Sequence, residues 1–163
     1  MPLRRVFFSL GSNLGDRREN LERAIEALER EQIPVLQQSS IYETEPQEVA
    51  NQPWFLNMVV QSEAHYFPIQ CLRIVQRIER ELGRVRGGSV VRKGPRVIDI
   101  DILLFGNVVM ESGSLTLPHP RMLERRFVLE PLKEIAPGLR HPVNKEPIDK
   151  YLSCITGQKV RKL

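Results

Sequence analysis

Two aspartates, Asp99 and Asp101, interrupt the most apolar stretch of the chain, residues 94–106 (GPRVIDIDILLFG). Side chains along a β-strand alternate between its faces, so the two carboxylates share one face. Such a pair is either the solvated end of a strand or a site for a divalent cation. Mg²⁺ prefers oxygen ligands, commonly one or two carboxylates plus substrate phosphates, and a pair of metal ions could share two carboxylates. The spacing alone leaves both interpretations open.

The segment just before these aspartates is basic and contains several glycines. No acidic residue lies between Leu82 and Ile98, and the basic residues there are Arg84, Arg86, Arg92, Lys93 and Arg96. The segment is either a solvated loop that balances the acids or a clamp for a polyphosphate, because arginine pairs bidentately with phosphate oxygens. Carboxylates for metal beside bases for phosphate are what phosphoryl transfer requires, which favours the clamp.

Other polar and aromatic residues each allow a structural and a functional interpretation. The GSNLGD segment lacks the Lys-Ser/Thr pair of a phosphate-binding loop, which favours a tight turn and helix cap. His119, between two prolines, is a surface residue or a hydrogen-bond donor to phosphate. Asn57, in a strand, is a core link or a ligand-reading amide. Phe55 and Phe127 belong to the core or stack on a flat ligand.

The elements that must position these residues follow from hydrophobic periodicity. Strands are predicted at 5–10, 35–44, 55–64, 97–105 and 108–110, and helices at 17–30 and 68–82. Along the acidic strand, the side chains of Ile98, Ile100, Ile102 and Leu104 are expected to face the helices, opposite Asp99, Asp101, Leu103 and Phe105. A helical turn, a short helix and a C-terminal helix at 147–155 are expected after residue 116.

This β-α-β-β-α-β order predicts an α+β fold with a ferredoxin-like core. The sheet is expected to be mainly antiparallel, with two helices on one face and an extra hairpin and helices towards the C-terminus. The 163 residues suit a single domain over 1–163.

Composition limits the class of protein. The net charge of +4 favours an anionic ligand but is too weak to imply nucleic acid. Cys71 and Cys154 show neither metal spacing nor a disulfide framework, which is typical of reduced thiols in the cytoplasm. No signal peptide is evident, and no segment reaches the roughly 20 apolar residues of a membrane helix. We expect a soluble cytoplasmic protein.

Several longer motifs resemble one family of enzymes. These motifs are LGSNLGD, SSIYETEP, QPWFLN, QRIERELGRVR, GPRVIDIDILLFG and LTLPHPRMLERRFVLEPLKEIAP. Together they make the chain resemble the 6-hydroxymethyl-7,8-dihydropterin pyrophosphokinases of folate biosynthesis nearly end to end. The resemblance implies a monomer with two small-molecule substrates, ATP and the pterin. It implies transfer of the β,γ-diphosphate of ATP to the pterin hydroxymethyl oxygen, with release of AMP.

The resemblance also implies roles for individual residues. Asp99 and Asp101 would bind two Mg²⁺ ions, and Arg84 and Arg92 would approach the phosphates during catalysis. The pterin-binding residues would be Thr44, Glu45, Pro46, Gln47, Phe55, Asn57 and Phe127. The ATP-binding residues would be Gln76, Glu79, Arg84, Arg86, Arg92, Arg96, Ile100, Thr116, His119 and Arg125. The chain departs from some members at Lys93 and Pro120, where those members have aromatic residues.

Two other functions share parts of this pattern. RNA-recognition domains have the same topology and stack bases on sheet aromatics, but the characteristic Lys/Arg-Gly-Phe/Tyr pattern is absent and aromatics make up only 6% of the chain. A different Mg²⁺-dependent nucleotidyltransferase would release pyrophosphate, whereas pyrophosphoryl transfer releases AMP. The reaction products therefore distinguish the two enzymes.

Overall fold

The computed structural model describes residues 2–46, 51–83 and 96–163. The strands are β1 (Arg4–Ser12), β2 (Val35–Gln38), β3 (Tyr42–Thr44), β4 (Phe55–Ala64), β5 (Asp99–Phe105), β6 (Met110–Glu111), β7 (Thr116–Leu117) and β8 (Val160–Lys162). The α-helices are α1 (Arg17–Arg30), α2 (Pro68–Leu82) and α3 (Arg126–Ile135), and short 3₁₀ helices span Met122–Glu124 and Ile148–Cys154.

The first two helices have the bounds that the sequence predicts. The Asp16 carboxylate accepts a hydrogen bond of 3.1 Å from the Glu19 backbone N–H, which caps α1. Pro68 opens α2, where its missing N–H costs nothing. The Gln70 side chain accepts a hydrogen bond of 2.8 Å from the Phe67 N–H just before that helix.

The main sheet is antiparallel and has the strand order β5-β1-β4-β3-β8, with β2 also paired to β4. β6 and β7 form a separate two-stranded sheet. The predicted mixed α and β class and antiparallel pairing are therefore confirmed.

The sheet has a different set of helices on each face. One face packs against α1 and α2 through a core that includes Phe8, Leu28, Val75 and Ile102. The opposite face packs against α3 and the last 3₁₀ helix, through a second core that includes Phe7 and Leu129. The second core covers only part of its face, and the uncovered part holds the site described below.

One prediction about the acidic strand is wrong. Phe7 pairs with Leu104 and Phe8 pairs with Ile102, so β5 has one extra residue at this point. This bulge shifts the alternation. Leu104 consequently joins the α3 core and Phe105 joins the α1 and α2 core, the reverse of the expectation from strict alternation.

The strand predicted at 35–44 is two strands, because Ser39 interrupts it. The Ser39 hydroxyl accepts a hydrogen bond of 3.0 Å from the Val59 N–H, while the Ser39 N–H donates to the Val59 carbonyl at 2.9 Å. A side chain here takes the place of a backbone acceptor.

The predicted C-terminal helix is a 3₁₀ helix. Strand β8, which adds to the edge of the sheet beside β3, has no counterpart in the prediction.

Among the described residues, no helix is both long enough and apolar enough to cross a membrane.

Candidate active site

A cavity of about 240 Å³ lies on the uncovered part of the sheet, beside the start of α3. Its lining residues come from β1, β3, β4 and β5, from the segments that flank β3 and β4, and from the stretch around α3. They are Ser9, Gly11, Thr44, Glu45, Gln52, Phe55, Asn57, Arg96, Asp99, Asp101, His119, Arg125 and Phe127.

Small residues on the central strand make room for this cavity. In β1, Gly11 pairs with Asn57 on one side and Asp99 on the other, and Ser9 pairs with Asp101. Directly paired residues of antiparallel strands project to the same face. Ser9 and Gly11 therefore form the floor between the acids of β5 and the amide of β4.

The sequence prediction missed Ser9 and Gly11. The signal for them is the alternation in β1, where Phe8 and Leu10 are fully buried on one face while Phe7, Ser9 and Gly11 become smaller along the other. A strand face that loses its side-chain volume towards one end leaves space for a ligand.

Each aspartate has a basic neighbour. Arg96 Nη1 lies 2.6 Å from Asp99 Oδ2, and Arg125 Nη1 lies 4.0 Å from Asp101 Oδ2. The Asp101 side chain is 45% exposed and that of Asp99 is 26% exposed, so both are open to the cavity. Desolvation raises the pKa of both carboxyls, although the arginines act in the opposite direction.

Glu79 lies in the last turn of α2 and contacts the backbone between Asp99 and Asp101. Its Oε2 accepts a hydrogen bond of 2.9 Å from the Ile100 N–H, between the two aspartates. Burial, with smaller contributions from Asp99 and Asp101, raises the pKa of Glu79 to about 7. Ile100 is 4% exposed and its side chain belongs to the core beneath α1 and α2, so only its backbone belongs to this region.

His119 lies at the same end of the cavity and is neutral at physiological pH. Burial, with Arg125 and Arg121 nearby, lowers its pKa to about 4. The backbone N–H of His119 donates to the Leu103 carbonyl at 2.9 Å. The ring Nδ1 accepts a hydrogen bond from the backbone N–H of Arg121 at 3.1 Å. A neutral ring that accepts at Nδ1 has its proton on Nε2 and can donate a hydrogen bond there.

Two aromatic rings and a buried amide form the other end of the cavity. Phe55 begins β4 and Phe127 lies in the first turn of α3, and both border the cavity. Asn57 Nδ2 donates to Thr44 Oγ1 at 2.5 Å, and these two residues are 5% and 1% exposed. Arg125 lies over the Phe127 ring, 5.5 Å from its centre.

The cavity brings together most of the predicted site residues. Predicted pterin residues at this cavity are Thr44, Glu45, Phe55, Asn57 and Phe127, and predicted ATP or metal residues there are Arg96, Asp99, Asp101, His119 and Arg125. Pro46, Glu79, Ile100 and Thr116 do not line it, and Gln76 is exposed on α2. Gln47, Arg84, Arg86, Arg92 and Lys93 lie outside the described residues, so their predicted roles stay predictions.

Asn13 is a further residue that sequence reasoning did not assign, and it joins segments around the cavity. Its Oδ1 accepts from the Arg96 N–H at 2.7 Å. Its Nδ2 donates to Gln52 Oε1 at 2.8 Å and to the Pro53 carbonyl at 3.1 Å. Asn13 as a whole is 1% exposed, and this residue of the GSNLGD segment fixes both Arg96 and Gln52 at the cavity wall.

Comparison with known proteins identifies one family. Residues 7–137 match the model of the family described as 7,8-dihydro-6-hydroxymethylpterin-pyrophosphokinase. The chain is 47% identical over 131 residues to a 2-amino-4-hydroxy-6-hydroxymethyldihydropteridine pyrophosphokinase of Bacillus subtilis, covering 80% of this chain and 77% of that protein. A Pseudomonas aeruginosa protein of the same name is 39% identical over 153 residues, covering 93% of each chain.

Other similar proteins are much longer than this chain. The folic acid synthesis protein fol1 of Schizosaccharomyces pombe is 43% identical over 157 residues, which are 96% of this chain but 21% of that protein. The chain thus spans about one fifth of the length of this fungal relative and of its Pneumocystis carinii counterpart.

Solved structures share the fold. The crystal structure of Plasmodium falciparum HPPK-DHPS with pteroate aligns with a TM-score of 0.71 at 14% identity, covering 94% of this chain and 42% of that one.

Proposed function

Because the chain belongs to the 7,8-dihydro-6-hydroxymethylpterin-pyrophosphokinase family, we propose that it transfers the β,γ-diphosphate of ATP to 6-hydroxymethyl-7,8-dihydropterin in folate biosynthesis. The hydroxymethyl oxygen forms a bond to the β-phosphorus and loses its proton. The bond from the β-phosphorus to the oxygen bridging it to the α-phosphorus breaks, and AMP leaves.

The observation that carries this proposal is the composition of the 240 Å³ cavity. One end has two phenylalanine rings and a buried amide, which suit the faces and the edge of a flat heterocycle. The other end has two carboxylates and the basic residues Arg96 and Arg125. A ligand with an aromatic ring and a hydroxymethyl arm would place the arm beside the carboxylates.

The carboxylate pair fits Mg²⁺, and we propose that Asp99 and Asp101 hold two such ions. Both are hard oxygen donors on one strand, both open into the cavity, and each has an arginine within 4.0 Å. Among the described residues, no group of three or more acidic, histidine or cysteine side chains forms a complete metal site. Such a pair needs phosphate oxygens to complete the ligand set. When bound, Mg²⁺ would neutralise phosphate charge.

The chain's own side chains would position the reactants. Arg96 and Arg125 can turn from the carboxylates to phosphate oxygens, for which guanidinium has the matching bidentate geometry. His119 is neutral, so it can donate a hydrogen bond to phosphate without adding charge. Glu79 fixes the backbone between the two aspartates. The proposed roles of Arg84 and Arg92 in phosphate binding follow from the motif resemblance.

The finer features of the protein are also proposals. The strand order β5-β1-β4-β2 supports a ferredoxin-like core, because a strand between the two parallel members of a split β-α-β unit gives that order. We propose that residues 1–163 act as one monomeric domain. We also propose that the protein is cytoplasmic, which is consistent with its two unpaired cysteines.

The test is to incubate the protein with ATP, Mg²⁺ and the hydroxymethyl dihydropterin and to identify the products by chromatography. AMP and a pterin diphosphate are expected. Release of pyrophosphate with a nucleotidylated pterin would instead show a nucleotidyltransferase. Recovery of unchanged ATP would refute both reactions.

The matched variants Asp99→Asn and Asp101→Asn keep side-chain volume and remove one charge each. Each should lower turnover by at least about 100-fold while the circular dichroism spectrum stays native, because a neutral amide is a poor Mg²⁺ ligand. Near-normal turnover of either variant would contradict its role as a metal ligand.

A further inference from the structure

The C-terminal residues 155–163 form a strap that joins two walls of the cavity. This strap follows the stretch matched by the family model, which ends at residue 137. It runs from the start of α3 to the outer edge of the sheet, where β8 pairs with β3. Its two anchoring points involve Gln158 and Lys159.

Gln158, which is distant from α3 in the sequence, caps the start of that helix with its side chain. Its Oε1 accepts from the Arg126 N–H at 2.8 Å, and its Nε2 donates to the Glu124 carbonyl at 2.8 Å. The N-cap residue of the helix, Arg125, does not cap it with its own side chain. The first N–H groups of a helix need an outside acceptor, so the Gln158 amide determines how α3 begins.

The start of α3 is also a wall of the cavity. Arg125 and Phe127 flank the residue that Gln158 holds, and both line the cavity. A second strap contact strengthens this end, because Arg126 Nη2 donates to the Ile155 carbonyl at 2.7 Å. The Gln158 side chain does not line the cavity, so any effect it has on a ligand must pass through this turn of α3.

The next strap residue holds the opposite wall. The Lys159 N–H donates to Glu45 Oε1 at 2.9 Å, and the Glu45 N–H donates to the Lys159 carbonyl at 3.2 Å. Glu45 and Thr44 both line the cavity. Adjacent residues of one strap thus fix the Phe127 wall and the Thr44 wall relative to each other.

We propose that Gln158 is a positioning residue that sets the width of the aromatic end of the cavity and so the affinity for the pterin. This inference rests on the proposed function of the cavity. If the Gln158 amide is removed, α3 loses its cap and the two walls are joined less rigidly. At the acid end, Asp99, Asp101 and Arg96 are held by β5 and Asn13, and only Arg125 lies beside the Gln158 contact. ATP binding should therefore change less than pterin binding, and the chemical step should change little.

The experiment compares Gln158→Met and Gln158→Glu with the wild type in steady-state assays of AMP formation. Methionine keeps the length of the side chain and removes both hydrogen bonds. It should raise the KM for the pterin about five- to tenfold, the effect of losing roughly one neutral hydrogen bond. The KM for ATP should rise less than the KM for the pterin, because Arg125 is the one proposed phosphate contact beside this turn of α3, and kcat should stay within about twofold. Glutamate keeps the acceptor, and its charge suits a helix N-terminus, so its pterin KM should stay within about threefold of the wild type.

Gln37→Met is the matched control, because Gln37 is exposed on β2 and does not line the cavity. It should leave all three constants unchanged. Hydrogen exchange of the ligand-free proteins adds a structural readout, in which the Arg126 amide should exchange faster in Gln158→Met than in the wild type.

The possible results separate the inference from the function on which it rests. Wild-type protein that forms no AMP refutes the proposed function and the inference together. Wild-type AMP formation with an unchanged pterin KM in Gln158→Met refutes the inference alone. A fall in kcat at constant KM would show that Gln158 supports folding only, which also overturns it.

Discussion

The substitution Gly11→Ala tests the construction of the cavity floor. A Cβ built on Gly11 would lie 2.6 Å from Asn57 Oδ1 and 3.6 Å from Phe55 Cδ1. Real Cβ atoms essentially never approach another atom within 3.0 Å, so the amide oxygen must recede by at least about 0.4 Å. Gly11 lies within β1 and does not have a left-handed φ, so a side chain there causes no backbone strain.

The amide of Asn57 has little freedom to move. Its Nδ2 donates at 2.5 Å to Thr44 Oγ1, and both residues are buried. Movement of the amide either breaks this bond or separates β1 from β4. Overpacking a core typically costs about 1–3 kcal/mol, and an unsatisfied buried polar group costs a similar amount. We therefore expect the free energy of unfolding to fall by about 1–3 kcal/mol.

The same displacement moves two residues at the aromatic end of the cavity. Loss of about 1.4 kcal/mol of binding free energy lowers affinity tenfold. We expect the displaced Asn57 and Phe55 to cost about that much pterin-binding energy, so the KM for the pterin should rise about tenfold in Gly11→Ala, with a smaller change in the KM for ATP. Urea unfolding and the AMP assay measure the two effects.

Gly113→Ala is the matched control, because a Cβ there would meet nothing within 4 Å. It should leave both KM values unchanged and change stability by less than about 0.5 kcal/mol. If Gly11→Ala behaved like Gly113→Ala in both measurements, the close packing of the floor against Asn57 would be refuted.

Two further predictions concern stability. The pKa of His119 is lowered from 6.5 to about 4, so between these pH values the unfolded chain binds a proton that the folded chain does not, and stability falls as the pH drops through that window. The full pKa shift corresponds to about 3 kcal/mol of unfolding free energy, and the expected loss is smaller because the residue is partly exposed. His119→Gln should remove this pH dependence from urea unfolding. The same pH dependence in the variant would contradict the role of His119. The Tyr42 hydroxyl donates to Glu134 Oε1 at 2.7 Å and links β3 to α3. Tyr42→Phe should therefore lower the free energy of unfolding by about 1–2 kcal/mol, and equal urea midpoints would show that this bond contributes nothing.

Local patterns in the sequence determined much of the fold. The predicted bounds of α1 and α2 match the structure because apolar spacing, the Asp16 cap and Pro68 all act within a few residues. The same alternation placed Asp99 and Asp101 on the face opposite Ile100 and Ile102. It failed beyond the bulge in β5, because a bulge arises from pairing with β1 rather than from the strand's own residues.

Most residues of the cavity were predicted from the motif resemblance rather than from local periodicity. The motif resemblance selected residues from β3, β4, β5 and α3 that the structure brings to one cavity, including Asn57, Asp101 and Phe127. No periodicity within the chain could have joined Phe127 to Phe55, since each lies in its own element. Their shared place depends on how α3 packs across the sheet.

The sequence by itself determined the chemistry: two carboxylates on one strand face, basic residues before them, and helices whose periodicity buries the other face. The tertiary structure alone decided the geometry. Gly11 matters because β1 and β4 pair in a register that puts it against Asn57, and Gln158 matters because the C-terminal strap returns to α3. The reason is physical: propensity and periodicity act between residues close in sequence, whereas cavities and caps of this kind form between segments that only the folded chain makes neighbours.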